Sequence, residues 1–241
     1  MQDFEGKRIL VTGASGGIGQ AIVAGFQARG ATVTGCDMRD GAANYSLTGD
    51  LSDPTFRDAL PQRAAEAMGG LDILVNNAGV ITRGSITETS DADYARTMAI
   101  NVEAPFKLCR AAIPLIVKEG GGAIVNVSSC WGVHPGPRHP LYVMSKAALA
   151  SLTECLGIDH AHQNIRINAV CPNEVNTPML RSGFAARGFD PDTAIEALSE
   201  SVPIGRIAGP EEIANVVFFL ASEQASYLCG SLIEAHGGKR S

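Results

Sequence analysis

KRILVTGASGGIG, residues 7–19, joins a short run rich in aliphatic residues to a glycine-rich loop. Lys7 to Thr12 predicts a strand and Gln20 to Arg29 a helix that Gly30 stops. Between them, Gly13, Gly16, Gly17 and Gly19 let the backbone turn tightly and approach a ligand. The loop then offers unpaired helix N–H groups and a positive dipole end to an anion. Strand, glycine loop and helix in that order point to a dinucleotide diphosphate more strongly than a bare glycine cluster does. Gly13, Ser15, Gly16, Gly17, Ile18 and Gly19 are therefore candidate cofactor-binding residues.

A second strand, Ala31 to Cys36, leads into Asp37, which lies 20 positions after Gly17. A carboxylate there can accept hydrogen bonds from the ribose hydroxyls of NAD and repel the extra phosphate of NADP. NAD is the expected cofactor. Arg39 is the counter-argument, since an arginine nearby can accommodate that phosphate, so NADP stays as the lesser alternative. Gly16, between Ser15 and Gly17, supplies no basic side chain to a phosphate.

The pattern continues outward. Tyr45 to Thr48 predicts a third strand. Asp53-Pro54 caps a helix running to about Met68, where Gly69-Gly70 stops it, and Leu71 to Val75 predicts a buried strand before Asn76-Asn77-Ala78-Gly79. Paired asparagines at a strand end can satisfy backbone groups of neighbouring strands. Asp91 to Glu119 predicts one long helix with Asn101 inside an apolar stretch. Gly122 to Ser129 and Ile165 to Cys171 predict further strands, and Pro210 opens an acidic-capped helix. Alternating strand and helix calls for an α/β, doubly wound, mostly parallel sheet, a Rossmann-type fold with helices on both faces.

Composition bounds the partners. The 241 residues are 45% hydrophobic and carry a net charge of −6, with basic residues scattered, so nucleic acid is not expected and a small-molecule substrate is. No apolar stretch approaches the about 20 residues that span a bilayer, so no membrane partner and a soluble, cytoplasmic protein are expected. The six cysteines stand far apart without Cys-x-x-Cys, which suits buried thiols in a reducing compartment, with no metal. Residues 1–241 are read as one dinucleotide-binding catalytic domain, with a mobile lid over about residues 178–205.

Chemistry concentrates in Tyr142 and Lys146. From Leu141 the apolar spacing is helical, so residues four apart share a face and both groups can reach one site. A phenol of ordinary pKa about 10 is a poor base near neutrality, and a fixed cation beside it favours the phenolate. Ser128-Ser129 lies at the carboxyl end of a strand, where open α/β sheets bind ligands. A serine hydrolase is disfavoured, because the chain has no Gly-x-Ser-x-Gly elbow there.

Thr12-Gly13-x-x-x-Gly17-Ile18-Gly19, Asn76-Asn77-Ala78-Gly79, Asn101, Ser129, Tyr142-x-x-x-Lys146 and Pro172 through Thr177 occur in one order and spacing. Over essentially its whole length the chain resembles a short-chain dehydrogenase/reductase. The resemblance implies a seven-stranded sheet and a homotetramer. It implies Tyr142 as acid/base, Lys146 on the nicotinamide ribose, Ser129 on the reacting oxygen and Asn101 positioning a relay water. It also implies that Asp50 and Leu51 contact adenine, Asn77 the ribose, and Val175 and Thr177 the nicotinamide amide, with Ala78, Gly79 and Pro172 beside them. Two residues depart from the family pattern: Asn173, where glycine commonly follows the proline, and His236, where an aspartate commonly precedes the glycine pair.

The expected reaction moves hydride from a secondary alcohol carbon to nicotinamide while Tyr142 takes the hydroxyl proton. His134, Arg138, His139, Asn173 and Glu174 are the candidate substrate contacts, with Arg138 expected to hold the carboxylate of a sugar acid or hydroxy acid. The alternatives are an NADPH-dependent reductase of 3-oxoacyl thioesters and a non-catalytic NAD-binding regulator.

Overall fold

A computed structural model describes residues 4–239; the outermost positions of the expected 1–241 domain lie outside the described residues. Strand β1 (Arg8–Thr12) leads into α1 (Gly17–Gln27), then β2 (Thr32–Asp37), β3 (Tyr45–Thr48), α2 (Pro54–Met68) and β4 (Ile73–Asn76). Next come α3 (Asp91–Met98), α4 (Ala104–Lys118), β5 (Gly122–Val127), α5 (Cys130–Val133), α6 (Pro140–His160) and β6 (Ile165–Pro172). The chain finishes with α7 (Pro178–Ala185), α8 (Pro191–Glu200), α9 (Pro210–Ala221) and β7 (Leu232–Ala235).

Among the described residues the seven strands form one sheet in the order β3-β2-β1-β4-β5-β6-β7, every neighbouring pair parallel. The expected mostly parallel sheet is thus parallel throughout. Chain order reverses between β1 and β4, so the loops leaving their carboxyl ends diverge and open a crevice there. Side chains alternate across each strand. Ile9, Val11, Val75 and Val125 pack with Phe26 of α1 and Phe218 of α9 on one face, while Leu10, Leu74 and Ile124 pack with Leu60 of α2 and Leu108 of α4 on the other. Burial on both faces is why these strands are so apolar.

Local signals set several boundaries. Asp53 caps α2 by accepting from the Thr55 amide, Pro54 occupies the first turn, and Gly69 closes the helix at φ 76°. A Cβ at Gly25 would collide with the Phe218 ring, so glycine there lets α1 and α9 approach closely. Phe218 in turn meets Phe26 edge-on at 4.8 Å.

Three expectations are corrected, and two stretches gain elements that were not expected. α1 starts at Gly17 instead of Gln20, because the loop glycines themselves enter the first turn. The long helix expected over 91–119 is interrupted by a π-helical turn at Ala99–Glu103. The stretches around Cys130 and after Pro178 contain the short helices α5, α7 and α8. Finally, Pro140–Gln163 is long and apolar enough by length and composition to cross a membrane, contrary to the reading of the sequence. In the fold this segment packs against β6 and buries Leu141, Leu149 and Ala150, which is the role of a core helix.

Candidate active site

A cavity of about 600 Å³ runs along the carboxyl ends of the strands, from the glycine loop to the first turns of α6. At its first end Gly13 takes a left-handed φ of 65°, and a Cβ there would stand 2.8 Å from the Ala78 Cα. A Cβ at Gly19 would collide with the Gly13 carbonyl oxygen. Only glycines allow this backbone packing. Gly16 caps α1 without any side-chain hydrogen bond, so the first amides of α1 keep their hydrogen-bonding capacity for an anion.

The loop is fastened from β4. The Asn77 Nδ2 donates to the carbonyls of Thr12 and Gly13, 3.0 Å each, while Thr12 Oγ1 accepts from the amides of Asn77 and Ala78 at 3.1 Å. Asn76 donates to the Asn126 side chain at 2.9 Å. The asparagine pair thus ties strand ends together while Asn77 lines the cavity. Asp37 ends β2 and accepts from the Ser15 amide at 3.0 Å. With Asp37, the cavity is lined by Ser15, Gly16, Gly17, Ile18, Asp50, Leu51, Gly79, Pro172, Val175 and Thr177. Uncapped helix, glycine cradle and strand-end carboxylate together fit a nicotinamide dinucleotide.

The other end carries the proton chemistry. Lys146 is 4% exposed, and its ammonium donates to the Val127 carbonyl at 2.8 Å. Burial lowers its pKa to about 8, opposed by the neighbouring Cys171. For Tyr142, burial raises the pKa; a hydrogen bond with Ser129 and the charge of Arg83 act downward, and the Glu174 charge acts upward. The ammonium stands 5.9 Å from the phenol ring centroid. Among these residues burial prevails at the phenol, and the Lys146 ammonium is turned to a backbone carbonyl; the lowering expected from the sequence draws on the charge of oxidised nicotinamide as well as on Lys146. Ser129 Oγ also accepts from the Trp131 amide at 3.2 Å, which starts α5. Ser128 donates to the Lys146 carbonyl at 2.9 Å, fixing α6 to the end of β5.

Asn101 sits in the π-helical turn, buried. Its Oδ1 accepts from the Val80 amide at 2.9 Å, and its Nδ2 donates to the Val80 carbonyl at 2.8 Å and to Ser145 Oγ at 3.0 Å. Ser145 then donates to the Tyr142 carbonyl at 2.8 Å. The extra residue in that turn points Asn101 at both the β4 loop and α6, as π turns at functional sites do.

The five candidate substrate residues separate. His139, Asn173 and Glu174 line the cavity; His134 and Arg138 do not. His134 Nε2 stands 2.9 Å from the Glu234 carboxylate of β7. Arg138 has a φ of 62°, turns outward with its side chain 71% exposed, and stands 3.6 Å from Glu88. His139 packs on Trp131, centroids 4.6 Å apart, and burial lowers its pKa. Asn173 is not left-handed; its Nδ2 donates to the Lys239 carbonyl at 2.7 Å, holding the segment after β7 against the site. His236, the second departure, accepts from the Gly238 amide at 2.9 Å and so pins the glycine turn.

Sequence reading passed over Arg83 and Arg187, both of which line the cavity. The available signal was position alone: Arg83 lies in the loop after β4, and Arg187 in the turn between α7 and α8, within the segment that follows β6.

A family model described as enoyl-(acyl carrier protein) reductase matches residues 13–239. A 3-oxoacyl-[acyl-carrier-protein] reductase of Thermotoga maritima is 34% identical, the alignment covering 98% of each chain. A 2-keto-3-deoxy-L-fuconate dehydrogenase of Xanthomonas campestris pv. campestris is also 34% identical, over 98% of this chain and 80% of that one. Among solved structures, L-sorbose reductase of Gluconobacter frateurii, complexed with NADPH and L-sorbose, superposes with a TM-score of 0.90 at 31% identity, covering 98% of this chain and 97% of that one.

Proposed function

The chain belongs to the short-chain dehydrogenase/reductase family, and from that premise we propose that it interconverts a secondary alcohol and a ketone on a small, polar, sugar-like substrate, using NAD. One observation carries the reading: a single cavity joins the uncapped start of α1 and Asp37 to Tyr142, Ser129 and Lys146. The relatives named for a deoxy sugar acid and for sorbose support the substrate class.

Bound nicotinamide supplies the hydride acceptor. In its phenolate form, favoured by the Arg83 charge and by the positive charge that oxidised nicotinamide would supply, Tyr142 takes the alcohol proton, and Ser129, whose hydroxyl also favours that phenolate, contacts the same oxygen. Lys146 holds a positive charge beside the reacting groups below about pH 8. Asn101 is a positioning residue, locking the Val80 backbone and, through Ser145, the first turn of α6. His139 and Glu174 line the same cavity and are the residues proposed to contact the substrate.

NAD rests on Asp37, whose carboxylate disfavours a neighbouring phosphate. The NADPH held by the sorbose reductase and the acyl-carrier names among the comparisons favour the second reading, reduction of 3-oxoacyl thioesters with NADPH. As in other members of the family, assembly is proposed to be homotetrameric; Phe106 of α4 and Met144 and Ile158 of α6 are exposed apolar side chains available for contacts.

Initial rates with NAD and NADP across polyols, sugar acids and hydroxy acids test the reading. Turnover with NAD is expected, and Asp37→Ala should relax discrimination against NADP by at least about tenfold, since losing one charged interaction is worth roughly 1.4 kcal/mol or more. Silence across the panel, with NADPH oxidised by 3-oxoacyl thioesters, would overturn both the cofactor and the substrate assignment.

A further inference from the structure

We propose that the cavity is built for an anionic substrate, a small hydroxy acid whose carboxylate lies between Arg83 and Arg187. The inference rests on the dehydrogenase reading for the reacting alcohol and goes beyond it by assigning the charge.

Both guanidinium groups converge on Gly183 of α7. A Cβ on Gly183 would collide with the Arg83 guanidinium, so glycine is what lets that group lie against the helix. Arg187 Nε donates to the carbonyl of the same Gly183 at 2.9 Å. Arg187 is further held over the ring of Phe184, 4.8 Å from its centroid, with Phe189 at 5.8 Å. Two cations are thus fixed close together in the cavity that Tyr142 and Ser129 line.

Their charges act on each other and on the chemistry. Burial and the Arg187 charge both weaken the hold of Arg83 on its proton, and Arg83 and Arg187 together act against protonation of His139. Arg83 also reaches Tyr142 electrostatically, which places it near the reacting end. Among the described residues no carboxylate forms an ion pair with Arg83 or Arg187. Glu174 is the acidic group whose charge meets Arg187, and burial shifts it toward the neutral acid. Adjacent, partly desolvated like charges are unfavourable unless an anion joins them. A planar carboxylate suits two guanidinium forks, each offering paired N–H donors.

The test uses malonate, a small carboxylate with no oxidisable alcohol, and its uncharged counterpart malonamide. Both are titrated by calorimetry into the full-length protein, with and without saturating NADH. Malonate should bind at least tenfold more tightly than malonamide. Arg83→Gln and Arg187→Gln should each weaken malonate at least tenfold and leave malonamide unchanged; Arg83→Lys should fall between, keeping the charge and losing the fork. Arg138→Ala, outside the cavity, should bind malonate as the parent does. Equal binding of malonate and malonamide, or malonate binding indifferent to both glutamine substitutions, overturns the proposal. Since malonate binding needs no turnover, the two readings separate. Arginine-dependent binding with no dehydrogenase rate would remove the proposed reaction and keep the anion site. Turnover of polyols without arginine-dependent binding would do the reverse.

Discussion

At Lys146 a cation is held largely out of water, and the consequence is a stability that depends on pH. Its folded pKa of about 8 lies below the ordinary lysine value. Below pH 8 both folded and unfolded chains carry the proton and the group gives no pH dependence. Between about 8 and about 10.4 the folded chain releases it first, so the unfolded chain binds more protons and folding stability rises with pH. The slope from this group approaches about 1.4 kcal/mol per pH unit, undiscounted because the side chain is buried. Subtracting urea-unfolding free energies of Lys146→Met from those of the parent at pH 7.5 to 10 should expose that rise; a difference flat with pH would show that burial does not depress this lysine. The pair was legible in the sequence because residues four apart on a helix share a face whatever surrounds them. Arg138 misled for an equally local reason: its left-handed backbone turns the side chain out, and sequence alone does not print a φ. Arg83 and Arg187 escaped notice because only the folded loops bring them to Gly183.

At the scale of elements, the first strand is anchored to the fourth by charge as well as by its ladder. Arg8 reaches Asp72 with Nε at 2.7 Å and Nη2 at 3.0 Å, and the Asp72 carboxylate also accepts the Arg8 amide at 2.8 Å. Glu119, just past α4, takes the same guanidinium at 2.8 Å. Burial pushes the Asp72 carboxyl up, but its bonds to Arg8 outweigh that and leave its pKa below the ordinary value. The stability it supplies is therefore present above the unfolded carboxylate pKa of about 4 and lost as pH falls through the lower folded value. Asp72→Asn should cost about 1 to 3 kcal/mol at pH 7, less than a fully buried pair because Arg8 is partly exposed. Parent and variant should converge on acidification in chemical denaturation; a gap that persists unchanged into acid would assign the loss to packing. Elements with their own punctuation, such as α2 between Asp53-Pro54 and Gly69, were readable in advance. The π-helical turn was not, because Asn101 gains its partners only from Val80 and Ser145, distant in sequence.

Across the whole molecule, burial is distributed unevenly in a way that follows function. The two faces of the sheet are packed by α1, α9, α2 and α4, and α9 alone buries Ile213, Val217, Phe218 and Leu220. By contrast α7 buries only Gly183, and α8 buries no residue. Their mutual tie is the Arg181 to Asp192 ion pair at 2.8 Å, an exposed contact worth little. This flap nevertheless carries Arg187, Phe184 and Leu198 into the cavity wall. An element with few buried apolar contacts opens at low free energy, and a ligand that binds the closed form alone shifts that opening equilibrium. Hydrogen exchange should therefore find the amides of α8 among the fastest of the helices, with α9 protected to near the global limit. NAD and malonate together should slow α7 and α8 by at least about tenfold while leaving α9 unchanged, because a flap stabilised by more than about 1.4 kcal/mol opens at most a tenth as often. If α8 exchanges as slowly as α9 without ligand, the flap is a rigid wall and substrate must enter past the β4 loop instead.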